Sequence, residues 1–257
     1  MKSKTFASFL LLFASLSIKA QLKPIAYSDG SQKLNGVFVA SGETSAAKPG
    51  ILILSAWMGI QDHEKQVAAE LSKMGYHVFI ADIFGEGNYP KNPSEAGKQA
   101  GHYKNNPKDY QRRIQLALDQ LVKAGANPDN IVAIGYCFGG TGVLEMARSN
   151  MKVKGVASFH GGLGKDKSRP NGAISAKVLI LHGADDNFVP KNEIEAFQQE
   201  MRDGKADWQM NYYADAVHAF TEKSAGSDKS KGVAYNEKAD KRSWEALKVM
   251  LDETLKK

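Results

Sequence analysis

Residues 131–140 read "IVAIGYCFGG", and their order decides the fold. Ile131–Ile134 is a short, continuous apolar run, the pattern of a strand buried on both faces. Gly135 and Gly139 bracket Cys137, so the chain bends sharply and passes into "TGVLEMARS", which reads as a helix. Strand, tight turn and helix form the repeating unit of an α/β protein, and G-x-nucleophile-x-G at such a turn lifts a reactive side chain above the sheet. Cys137 is the only cysteine of the 257 residues. A cysteine placed for packing belongs inside the strand. One at the amino end of a helix meets the positive end of the helix dipole, which favours the thiolate.

The same alternation extends in both directions. "PIAYS" and "LNGVFVA" read as an opening antiparallel pair, and "GILILSAW" as a fully buried strand. Val67, Leu71 and Met74 share one face of a helix that stops at Gly75. "YHVFIADIF" is the next strand. Residues 85–107, rich in Gly, Pro, Asn and Lys, read as a long irregular excursion of the kind used for lids and binding loops. Tyr110, Ile114, Leu118, Leu121 and Val122 mark a helix ahead of "IVAIGY", and residues 139–149 another. "VKGVASF", "KVLILHG" and "WQMNYYA" are strands. Ile194, Phe197 and Met201 mark a helix, as do Trp244, Leu247, Leu251 and Leu255. Repeated β-α-β units with continuous apolar strands predict a mostly parallel sheet covered by helices on both faces. Reactive groups of such sheets collect beyond the carboxyl ends of the strands.

The first twenty residues carry a different signal. Lys2 and Lys4 precede an apolar run from Phe6 to Leu16, and Ile18-Lys19-Ala20 ends in the small residue a signal peptidase needs. The run is too short to span a bilayer, and no cysteine follows it to take a lipid. Residues 1–20 are therefore expected to be a secretory signal, and 21–257 a single exported α/β domain without a membrane anchor. Removing the signal takes three lysines and no acids, so the net charge of +6 falls to +3. That mild excess, with no basic run, argues against a nucleic-acid partner. The histidines show no metal-ligand spacing, and no phosphate or dinucleotide loop is present, so no metal or cofactor is expected.

Two further strand ends hold chemistry. "KVLILHG" leads into Ala184-Asp185-Asp186-Asn187-Phe188-Val189-Pro190, where a carboxylate is well placed to orient an imidazole. Either aspartate alone also suits a turn or helix cap. "WQMNYYADA" leads to His218. Nucleophile, acid and histidine thus occur in the order Cys…Asp…His of the α/β-hydrolase arrangement.

"GYCFGG", "LHGADDNFVP" and "YADAVHAF", followed by "AYNEKADKRSW", resemble the dienelactone hydrolase, or carboxymethylenebutenolidase, family of α/β-hydrolases. The likeness implies the α/β-hydrolase fold, with Cys137 as nucleophile, Asp186 as the acid and His218 as the base. It also implies an oxyanion hole from the backbone amides of Phe138 and Trp57, and a small-molecule ester or lactone substrate. Two positions depart from the family pattern: Ala56 replaces a glutamate that holds the resting thiol, and Glu222 replaces an arginine that grips a substrate carboxylate. Neutral substrates are therefore expected to serve at least as well as anionic ones, unless Arg112, Arg113 or a lysine of 85–107 supplies a clamp. Asp62 or Glu64 is the candidate to replace the missing glutamate. The alternatives to a cysteine-dependent hydrolase are a silent binding module and a thiol redox sensor; the sensor lacks a second cysteine to resolve an oxidised thiol.

Overall fold

The computed structural model describes residues 21–43 and 45–256; the signal expected at residues 1–20 lies outside them. Eight strands form one sheet: β1 (Lys23–Asp29), β2 (Gln32–Val39), β3 (Gly50–Leu54), β4 (His77–Ala81), β5 (Ile131–Tyr136), β6 (Gly155–Phe159), β7 (Lys177–Gly183) and β8 (Trp208–Tyr213). Their order across the sheet is β1-β2-β4-β3-β5-β6-β7-β8. β1 and β2 pair antiparallel through a tight turn at Gly30, whose φ of 57° suits glycine. β2 also runs antiparallel to β4, and the other six strands are parallel. The expected mostly parallel sheet with an antiparallel opening pair is what the chain forms.

Among the described residues the α-helices are α1 (Asp62–Lys73), α2 (Pro93–Asn105), α3 (Pro107–Lys123), α4 (Phe138–Arg148), α5 (Lys191–Asp203) and α6 (Glu237–Thr254). Successive strand residues feed opposite faces because the side-chain period of a strand is two. Leu52, Leu54, Ile131 and Ala133 pack with Tyr110 and Ile114 of α3, Val143 and Leu144 of α4, and Phe197 of α5. Ile51, Ile53, Val132 and Ile134 pack on the other side with Val67 and Leu71 of α1 and with Leu247 and Leu251 of α6. At about 25 cal/mol per Å² of apolar surface removed from water, these two layers are the main stabilising term.

Segment 85–107 is not irregular throughout, because residues 93–105 form α2. Its buried face is Ala96, Ala100 and Tyr103, helically spaced, but alanine adds too little apolarity to stand out among polar neighbours. The start signals were present: Pro93 occupies the first turn and the Asn92 side chain accepts the Glu95 N–H at 3.0 Å.

Candidate active site

The bend after β5 is built by backbone contacts that only glycine permits. A Cβ on Gly135 would lie 2.1 Å from the Gly139 carbonyl oxygen, and one on Gly139 would lie 2.1 Å from that of Leu54. Strand β3, strand β5 and helix α4 therefore meet backbone to backbone. Cys137 takes φ 52° and ψ −110° between them, a conformation that costs a non-glycine residue roughly 1–3 kcal/mol. Its own N–H is anchored to the Phe159 carbonyl at 3.0 Å. The bend projects the thiol past the sheet at the start of α4.

Three strand ends converge there. His218 Nε2 is 3.0 Å from Cys137 Sγ, and His218 Nδ1 is 2.8 Å from Asp186 Oδ2. The Asp186 side chain is fully buried and its Oδ1 accepts the Phe188 N–H at 2.9 Å, whereas Asp185 is exposed. The carboxylate facing the imidazole is thus Asp186. Burial by itself pulls His218 down. The hydrogen bonds to Asp186 and Cys137, and the charges of both, outweigh it and push the imidazole up to about 10. Behind the ring, His160 is fully buried, held by Thr221 Oγ1 at 2.8 Å and edge-on to His218 at 5.2 Å. Burial and the neighbouring histidines hold His160 well below the usual histidine range, so it stays neutral and adds no charge.

Trp57 and Phe138 are the two residues implied as oxyanion donors. Phe138 is the first residue of α4 and has no carbonyl one turn earlier to receive its N–H. Among the described residues, neither its N–H nor that of Trp57 has a hydrogen-bond partner. The Phe138 ring stacks on Tyr110 at 4.6 Å and is buried, while the Trp57 ring is exposed. Phe188 is also exposed and meets the His218 ring at 5.3 Å.

The charged residues near the site differ from what the sequence suggests. Asp62 is solvent-facing and pairs with Lys65. Glu64 is buried, but its two oxygens accept the N–H groups of Ala56 and Gln61 at 3.2 and 2.9 Å, which pins the β3–α1 turn. Neither carboxylate replaces the missing glutamate at the thiol. Arg112 and Arg113 both pair with Asp29 of β1, at 3.1 and 2.8 Å, and Arg113 is buried, so both candidate clamps are occupied there. Glu222 sits largely buried with its Oε1 3.7 Å from His63 Nε2. Burial, then Glu64 and Asp240, push Glu222 up to about 8, and burial pushes His63 down to about 4. The His63–Glu222 contact is invisible in sequence, because the two residues come from distant segments.

No described group of side chains has the makings of a metal site, and no described helix is long and apolar enough to cross a membrane.

A mostly parallel sheet with a nucleophile-type elbow after β5, a buried carboxylate after β7 and a histidine after β8 defines an α/β-hydrolase. The dienelactone hydrolase family matches residues 36–255, so the chain belongs to that family and is a hydrolase. A dienelactone hydrolase-like promiscuous phosphotriesterase, P91 from metagenomic libraries, is 32% identical with a TM-score of 0.87, covering 93% of this chain and 100% of that one. An uncharacterized protein of Caenorhabditis elegans is 31% identical over 144 residues, 55% of this chain and 91% of the relative. The dienelactone hydrolase from Anabaena variabilis shares the fold at 18% identity, with a TM-score of 0.65 over 93% of this chain and 100% of its own.

Proposed function

We propose that this hydrolase cleaves carboxylic ester, lactone or thioester bonds through a Cys137–His218–Asp186 triad and an acyl-thioester intermediate. The observation that carries the proposal is the unbroken chain Asp186–His218–Cys137, at 2.8 and 3.0 Å, on a glycine-built elbow. Asp186 steadies the far nitrogen of His218, and Nε2 takes the Cys137 proton as the reaction begins. The sulfur attacks the carbonyl carbon, and the N–H groups of Trp57 and Phe138 receive the developing oxyanion, a stabilisation of about 3 kcal/mol per donor. Collapse expels the alcohol oxygen, which takes the proton from His218. The neutral imidazole then removes a proton from water, the hydroxide attacks the thioester, and the acid leaves as the thiolate is restored. The exposed rings of Trp57 and Phe188 favour substrates with an apolar body.

Cys137→Ala and His218→Ala should each lower turnover of a small activated ester by several powers of ten, because members of such a unit fail together. Asp186→Asn should cost far more than Asp185→Asn. Equal losses in the two aspartate variants would refute the assignment of the acid. The panel should include neutral esters, lactones, thioesters and, given the activity named for P91, a phosphotriester. Export belongs to the same proposal: expressed with its leader, the mature protein should begin at Gln21 on amino-terminal sequencing.

A further inference from the structure

Residues 159 and 160, where β6 ends, are in contact with all three parts of the site. The Phe159 carbonyl accepts the Cys137 N–H at 3.0 Å. The His160 N–H donates at 2.9 Å to Leu181 of β7, the strand that leads to Asp186. The His160 ring lies 5.2 Å from that of His218, at 67° to it. Its Nε2 is 2.8 Å from Oγ1 of Thr221, on the loop that carries His218. The chain turns between His218 and Thr221: Ala219 takes a left-handed φ of 58°, and its carbonyl accepts the Glu222 N–H at 2.9 Å.

A histidine at position 160 is costly to keep. It is fully buried, and its φ of 40° is strained for a residue with a Cβ. Its Nδ1 is buried with no hydrogen-bond partner among the described residues. The surroundings are aromatic, with Phe220 edge-on at 5.2 Å and Tyr136 at 6.1 Å. A phenylalanine would suit that space and leave no nitrogen unpaired. A half-satisfied polar group in such a place calls for a use. The bond its side chain does make is to the loop of the base.

His218 itself is held unevenly. Its backbone is fixed, since its N–H donates to Gly232 at 3.2 Å and its carbonyl accepts the Ala234 N–H at 3.1 Å. Its ring has Asp186 at Nδ1, and one hydrogen bond fixes a point of a ring but not its plane. Phe188 also meets the ring but is 62% exposed, so the rigid neighbour is His160.

We infer that His160 and Thr221 are positioning residues: their hydrogen bond ties down the loop after His218, and the His160 ring sets the imidazole plane so that Nε2 stays aimed at Cys137. The inference rests on the triad proposed above. Nε2 must take the thiol proton, pass it to the leaving oxygen and then take one from water. A ring free to rotate would lose every one of these transfers.

Thr221→Val removes the hydroxyl at nearly constant volume, and Thr221→Ser keeps it. Thr221→Val should lower kcat for a small activated ester by roughly ten- to a hundredfold, the effect of a misplacement of about 1 Å. KM should change little, and Thr221→Ser should stay near wild type. Alkylation of Cys137 by iodoacetamide at neutral pH needs no ester chemistry; it should slow in Thr221→Val and recover in Thr221→Ser. His160→Phe should match Thr221→Val, and the double variant should be no worse than either alone, because both remove the same bond. Cooperative melting checks that each variant is folded. A loss carried by KM, additive losses in the double variant, or wild-type kcat and alkylation in Thr221→Val would overturn the positioning role and leave the hydrolase standing. If no ester is turned over while alkylation still depends on the Thr221 hydroxyl, the positioning role stands and the proposed reaction falls.

Discussion

Among the described residues, Cys137 has one polar side-chain partner within hydrogen-bonding reach, His218 at 3.0 Å, and Asp62 and Glu64 are committed elsewhere. Iodoacetamide should therefore alkylate the resting protein at neutral pH faster than it does a simple thiol, with inactivation matching modification at Cys137. His218→Ala should slow the reaction, since the imidazolium that stabilises the thiolate is gone. A rate indifferent to His218 would mean that another group governs the sulfur. Glu222 makes a separate prediction, about stability. Burial raises its carboxyl from 4.5 to about 8, so the folded protein holds this proton more tightly than the unfolded chain does. Its contribution is fully present below pH 4.5 and is lost as pH rises towards 8. Glu222→Gln should melt close to wild type at pH 4.5 and clearly above it at pH 8.5. Thermal scans at the two pH values decide the matter; a constant difference would show that the carboxyl does not titrate with folding.

The elbow is where an element depends on single hydrogen atoms. Gly139→Ala would drive a methyl group to 2.1 Å from the Leu54 carbonyl oxygen, and backbone on both sides cannot move without parting β3 from α4. The variant should lose about 3 kcal/mol or more of stability in denaturant titration, or fail to fold. Gly97, by contrast, has nothing within 4 Å of an added Cβ and sits inside α2. Gly97→Ala should raise stability by about 0.5–1 kcal/mol through helix propensity. Together the pair separates glycine required by close approach from glycine that is merely tolerated.

Across the whole molecule, Arg148 ties the elbow helix to its surroundings. Its guanidinium, 4% exposed, bonds Glu145 of α4, Glu200 of α5 and the carbonyls of Leu163 and Gly164 beyond β6. Arg148→Met would leave Glu145 to Arg169 alone and Glu200 to Lys165 alone and should cost about 1–3 kcal/mol, read by chemical denaturation. A loss below 1 kcal/mol would mean that water reaches the network. By itself the sequence determined the β-α alternation, the mostly parallel sheet and the three strand ends that carry Cys137, Asp185–Asp186 and His218. These follow from local periodicity and from glycine at a bend, which neighbouring residues express directly. The α2 helix escaped because alanines hide its apolar face, and the pairing of Arg113 escaped because its partner Asp29 is far away along the chain. Only the tertiary structure decided which aspartate faces the imidazole, that Glu64 is spent on the backbone, and that Glu222 is buried beside His63. Each of these turns on which distant groups share a low-dielectric space, and a carboxylate carries no local mark of the partner it will meet.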